Sequence, residues 1–397
     1  MRRVLAGFGR LAMAVLAMVP MLAMPAQAAK VVVMTPGTVN AAMAQLRPGD
    51  TLRLEGDFTS RLSFGNRDFG GVVVDGRDAK LIDGISLRNV HNITFMDLRV
   101  GTANRIADST HLINVDSSSH ISFARANVVG FAGLETKGLR IVNSSFATVR
   151  DSVFDGLHDG IILSGSTDSL LTRNRFINGG SDGIKMPGNQ RVIVSGNSCR
   201  DFVAIANAHP DCMQFWSIVG QPLQSDIYVL NNAAFGDQHG FVGFGGAPVT
   251  GTHFTFAGNY TAISRPHSIN CNGCSNSRFI DNIAVTLPSS RWRTQIRVPT
   301  APDVLAINNQ MYDLRGMNAS LEDLLPARQW STLVPSVAWQ VGSRLDDRSW
   351  HPTLQMSAAA SAGSAPEPSS WLMMALGFLG VGRCLRRRPS APRHVLA

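Results

Sequence analysis

Three stretches decide the fold: Asp159-Gly160-Ile161-Ile162-Leu163, Asp182-Gly183-Ile184-Lys185-Met186 and Asp211-Cys212-Met213-Gln214-Phe215-Trp216. Each opens on a polar residue and sets apolar side chains two and four positions later. A period of two is the signature of a strand with one buried face. The same frame begins at Asp83, His111, Lys137, His239 and His267, and successive starts lie 22 to 29 residues apart. A second series sets Asn at 174, 197, 232, 259, 282 and 309, most of them three residues after an apolar one.

Strands recurring at that interval describe one coil of a solenoid with about three strands per turn. An antiparallel sandwich needs closer hairpin turns, and helical or leucine-rich repeats need patterns that are absent. The reading is an all-β, single-chain parallel β-helix whose coils stack ~4.8 Å apart, so that equivalent positions form ladders. Asn suits a tight turn entering the left-handed region, and stacked amides can bond along the ladder. Residues 39–46 read as a short helix, stopped by Pro48-Gly49-Asp50 before a strand at 51–54. That segment caps the first coil, which would otherwise expose a sheet edge. The repeat fades around Trp330, Trp339 and Trp350, and this stretch is expected to cover the other end.

The chain has 397 residues and a net charge of +8, but residues 1–28 hold +3 and residues 364–397 hold +4. The body is nearly neutral, which excludes the basic footprint of a nucleic-acid-binding protein. Residues 1–28 have the basic start, apolar run and Ala26-Gln27-Ala28 site of a cleaved secretory signal. The β-helix domain with its caps is assigned to 29–356, a Ser-rich linker to 357–364, a sorting segment to 365–388 and a tail to 389–397. The sorting segment runs Pro366-Glu367-Pro368, an apolar stretch from Trp371 to Val381, then Arg383 and Arg386-Arg387-Arg388. It resembles the PEP-CTERM signal of Gram-negative bacteria. The resemblance implies passage through the inner membrane, cleavage by a sorting protease of the exosortase type, and delivery to the outer surface or matrix. Contact with the membrane would be transient, and the mature product is expected to be a monomer. Cys199, Cys212, Cys271 and Cys274 would meet an oxidising compartment as structural thiols, paired or free. The single Cys271-Asn272-Gly273-Cys274 lacks a second half for zinc.

Residues 30–315 resemble the right-handed parallel β-helix, pectate-lyase-like superfamily, through Pro48-Gly49-Asp50 and the Asp-Gly-Ile repeats. That fold hosts lyases, hydrolases, epimerases, esterases and adhesins. The outward ladder three residues into each frame reads Ser86, Asn114, Arg140, Ile162, Lys185, Gln214, Val242, Asn270. With the turn residues, it brings Arg140, Asp159, Asp182, Lys185, His209, Asp211, Gln214 and His239 onto one strip. The longest insertion lies beside them, and the loops near His209 and at 219–225 are expected to wall a groove.

The strip suits an acidic polysaccharide. Abstraction of the C5 proton of a uronate needs its carboxylate neutralised and a base nearby. Asp159, Asp182 and Asp211 are the candidate ligands for calcium. Lys185, its pKa lowered by neighbouring cations, is the candidate base, with Arg140 two coils away, and His209 or His239 the proton donor. Gln214 and Trp216 are candidate substrate-binding residues. Lyases of the superfamily use Lys or Arg bases and often calcium, so the resemblance implies β-elimination or related C5 chemistry. An alternative is an inverting hydrolase. Asp182-Gly183, Asp211-Cys212 and His239-Gly240 follow the order of polygalacturonase motifs, with Pro210 and Gln238 departing from them and Arg265-Pro266-His267 standing for the later Arg-x-Lys. The third possibility is a non-catalytic glycan-binding or matrix-structural protein, because Asp, Asn and His also serve as turn formers.

Overall fold

The chain winds into three parallel sheets to which most coils give one strand each, while Leu62–Leu81 and Ile85–Met96 run on from one sheet into the next. A computed structural model describes residues 28–103, 111–130, 136–205, 208–243, 250–299 and 301–316. The coils run right-handed for about nine turns. The first sheet stacks Lys137–Val142, Ile161–Ser164, Ile184–Pro187, Asp211–Trp216, His239–Gly243 and His267–Cys271 in order. The second includes Thr167–Thr172, Gln190–Ser195 and Ser225–Leu230, and the third Arg175–Ile177, Ser198–Arg200 and Ala233–Gly236. A helix, Val39–Gln45, lies near the first coils as expected.

Register follows the sequence frame. Arg140 pairs with Ile162, Ile162 with Lys185, Lys185 with Gln214 and Gln214 with Val242. The alternate positions, including Ile161, Ile184, Met213, Phe215 and Phe241, are fully buried. Phenylalanines stack along the core, Phe95 on Phe123, Phe154 on Phe176 and Phe256 on Phe279, each pair with centroids 5.1 Å apart. Trp216 is half-buried beside the buried Phe215.

The Gly of each Asp-Gly-Ile frame is required by close approach. A Cβ on Gly160 would sit 2.6 Å from the Gly183 carbonyl oxygen, and one on Gly183 2.7 Å from that of Cys212. In the next coil this column carries Cys212, which is disulfide-bonded to Cys199, and Cys271 is bonded to Cys274.

The asparagine series forms a continuous amide ladder at one corner. Each side-chain amide donates to the side-chain oxygen in the following coil, from Asn174 through Asn197, Asn232, Asn259 and Asn282 to Asn309, at 2.8–3.1 Å. The left-handed residue is not the ladder Asn itself. It is the residue before it: Arg173, Gly196, Asn231, Gly258, Asp281 and Asn308 all have φ between 53° and 63°. The ladder Asn faces inward, satisfying backbone groups that the turn frees. The expected secretory signal up to residue 27, the expected cap around Trp330 to Trp350, the expected linker and the sorting segment lie outside the described residues.

Candidate functional site

The turn residues opening the first sheet place charged groups side by side where water is scarce. Asp159, Asp182 and Asp211 are all at most 4% exposed. Lys185 reaches back along the stack, with Nζ 2.7 Å from Asp159 Oδ1 and 3.1 Å from Asp182 Oδ2. His158 Nδ1 lies 3.2 Å and Lys137 Nζ 3.7 Å from Asp159 Oδ2. Asp182 Oδ1 accepts the Asp211 amide at 2.9 Å. In the next step of the strip, His209 Nδ1 stands 3.3 Å from Asp211 Oδ2. The rings of His209, His239 and His267 then follow, with centroids 5.4 and 5.0 Å apart.

The electrostatics follow from who faces whom. Burial pushes Asp159 up, but His158 and Lys185 outweigh it and hold the carboxyl at about 2. Asp182 shares the same ammonium with a neighbouring carboxylate, so burial wins and its pKa is raised. Burial lowers Lys185, yet Asp182 and Asp159 overcome it and its pKa is raised. This corrects the expectation of a lysine base activated by neighbouring cations: its nearest charges are anions, and it stays an ammonium. At Asp159, Asp182 and Asp211, expected as calcium ligands, a cation of the protein is already present. The Lys185 ammonium stands between two of the three, within 2.7 Å of Asp159 and 3.1 Å of Asp182. Arg140 also turns away from the acids, its Nη1 donating to Asn114 at 3.0 Å. Gln214 stays next to Lys185 in register, and Trp216 sits at the far end of its strand, opposite Pro187.

A groove of about 640 Å³ opens beside the histidine row. Its lining includes His209, His239, His267, Arg265, Arg291 and Trp292. The Arg291 guanidinium lies over the Trp292 ring at 4.7 Å. His209 and His239 were in the expected strip, and His267 in the turn ladder. Arg291 and Trp292 were missed, because they come from a corner between strands where no repeat frame applies. The loop at 219–225 does not line this groove.

Acid stability is one consequence of the cluster. A carboxyl held at about 2 against an ordinary 3.8 contributes on the order of 2 kcal/mol. The sign follows from the depressed value: the contribution is complete above pH ~4 and is lost as pH falls toward ~2. Denaturant unfolding of wild type between pH 5.5 and 2.5 is therefore expected to show a steeper acid loss than Asp159→Asn does. Equal slopes would remove Asp159 as the cause.

Comparison with known proteins gives two partial family matches and several distant structural ones. The family described as periplasmic copper-binding protein (NosD) matches residues 69–208, and the PEP-CTERM protein-sorting motif matches residues 364–388. No curated protein matches the sequence. Among solved structures, the chain is similar to the Streptococcus pneumoniae surface protein and adhesin PfbA, at 12% identity and TM-score 0.49, over 70% of this chain and 92% of that one. It is similar to pectate lyase Pel9A at 17% identity and TM-score 0.46, over 71% and 80%. It is also similar to the A-module of the Azotobacter vinelandii mannuronan C-5 epimerase AlgE4, at 15% and 0.45, over 70% and 90%. Identities this low say nothing of chemistry. The chain is an exported right-handed parallel β-helix protein with a PEP-CTERM sorting motif.

Proposed function

We propose that this protein acts on an acidic polysaccharide at the outer surface or in the matrix, by β-elimination at a uronate. The observation that carries the reading is the groove in which Arg291 and Trp292 meet three histidines, with Arg265 beside them held by Asp237 at 3.3 Å. Guanidinium groups pair with carboxylates in a planar fork, and an indole face offers a stacking surface for a sugar ring. In the reaction, a base takes the C5 proton, the C4–O bond breaks, a C4–C5 double bond forms and the leaving oxygen is protonated. The lining histidines support this reading as groups chemically able to move those protons. The acids Asp182 and Asp211 lie beneath the surface, which disfavours the inverting hydrolase, whose two carboxyls must reach substrate and water.

The test is a panel of pectate, alginate and neutral dextran. Ultraviolet absorbance of the unsaturated product, reducing ends and affinity electrophoresis would be followed together. Wild type is expected to bind a uronate polymer and generate the chromophore, and Arg265→Ala/Arg291→Ala to weaken binding by roughly tenfold or more, as loss of charge-assisted bonds predicts. Dextran should not be retained. Reducing ends without the chromophore would replace the reading by hydrolysis, and binding without turnover by a matrix or adhesive role. Equal retention of dextran and uronate polymers would overturn it.

A further inference from the structure

Beyond the glycan groove itself, we propose that His209, Asp211 and His239 form a binding site for one borderline divalent transition-metal ion, zinc or copper(II). The three side chains each offer one ligand atom, and these atoms all lie within 4.8 Å of one another. Among the described residues this is the one such group of three. Ligand atoms ~2.1 Å from a tetrahedral ion stand about 3.4 Å apart. The His209 Nδ1 to Asp211 Oδ2 distance, 3.3 Å, already has that value.

The donor set selects the ion. Two imidazole nitrogens and one carboxylate suit zinc or copper(II), and not calcium or magnesium, which want oxygen. A second observation favours a cation at this place. Asp211 is 0% exposed, and apart from the His209 ring 3.3 Å from Oδ2 its carboxylate oxygens have no side-chain or backbone partner among the described residues. A buried carboxylate paired chiefly with one histidine ring is costly, and a bound ion would add a strong partner for one of its oxygens. The nearest ammonium, Lys185, is committed to Asp159 and Asp182.

The scaffold and access also fit. Asp211 and His239 are register partners on adjacent strands, so the backbone fixes their separation. The His239 ring stacks on His267, and its Nδ1 accepts the His267 amide at 3.3 Å. That long bond is the interaction given up if Nδ1 becomes the ligand. His209 has a half-exposed side chain, and both histidines line the groove. An ion held by three protein ligands would therefore keep a position open toward the groove.

The experiment uses the untagged full chain, stripped with chelator and dialysed. Zinc sulfate and copper(II) sulfate are each titrated by calorimetry, metal content is measured after gel filtration, and the copper form is examined by electron paramagnetic resonance. One equivalent of zinc or copper(II) should bind, with calcium chloride giving no heat. The copper spectrum should carry hyperfine structure from two nitrogens. His209→Ala and His239→Ala should each weaken binding roughly 100-fold, because a lost ligand costs at least as much as a lost supporting contact. His267→Ala, beside the site but outside the ligand set, should change affinity by no more than a few-fold. Melting curves without metal establish that each variant is folded. Absence of stoichiometric binding, or affinity unchanged in the folded His209→Ala/His239→Ala variant, overturns the site. Polymer binding measured in chelator is read separately, so failure here leaves the glycan reading to its own test.

Discussion

Lys185→Met is expected to destabilise the protein by about 3–5 kcal/mol, the usual cost of removing one partner from a buried ion pair. The ammonium bridges Asp159 and Asp182, at 2.7 and 3.1 Å. Met matches the length of the lysine stem but offers no charge, so buried Asp182 would lose its cation while Asp159 kept only His158 and Lys137. One of the two carboxylates must then take up a proton or drag in water, and either costs stability. A lysine acting as a base would behave differently: its loss would remove turnover and leave unfolding almost unchanged. A double-mutant cycle separates the two, because Lys185→Met/Asp182→Asn removes one orphaned charge along with the cation. The double variant is expected to recover part of the lost stability in denaturant unfolding. A midpoint for Lys185→Met equal to that of wild type would refute the structural role of this ion cluster.

Why the ladder could be read in the sequence and the lysine's role could not is a matter of what each signal constrains. Period-two alternation fixes which side chains enter the core, and a one-residue slip would expose all of them. The frames from Lys137 to His267 therefore fell into register, and Asp159, Asp182 and Asp211 came onto one strip. The pattern does not say which way a long side chain leans along the stack. Lys185 leans to the preceding coil and finds Asp159, and Arg140 does the same and finds Asn114. The surface arginines repeat this direction, Arg125 to Asp97, Arg173 to Asp151 and Arg191 to Asp168. The groove was only half visible for a related reason. His209, His239 and His267 open or precede strands, whereas Arg291 and Trp292 belong to a corner whose path no periodicity prescribes.

Asn232→Ala is expected to cost about 3–5 kcal/mol, more than most single substitutions. Its side chain makes four bonds: Nδ2 donates to the Val194 carbonyl at 2.9 Å and to Asn259 Oδ1 at 3.1 Å. Its Oδ1 accepts the Asn197 amide at 2.9 Å and Asn197 Nδ2 at 3.0 Å. Alanine would leave the Val194 carbonyl and the Asn197 backbone amide short of partners in a corner where Asn232 itself is 1% exposed. Each buried group orphaned costs about 1–3 kcal/mol, and neighbours in one network do not add fully. The turn itself should survive, because the left-handed residue is Asn231, not Asn232. The comparison that isolates the ladder is Asn309→Ala, at the half-buried last rung. Asn309 donates to the Phe279 carbonyl and accepts from Asn282, and solvent nearby can replace part of what is lost. That variant is expected to cost about 1 kcal/mol. A gradient from the central rung to the terminal one, measured by urea unfolding, is the signature of buried amides satisfying the corner backbone. Equal small losses at both rungs would mean that water reaches this corner and that apolar packing alone holds the coils in register.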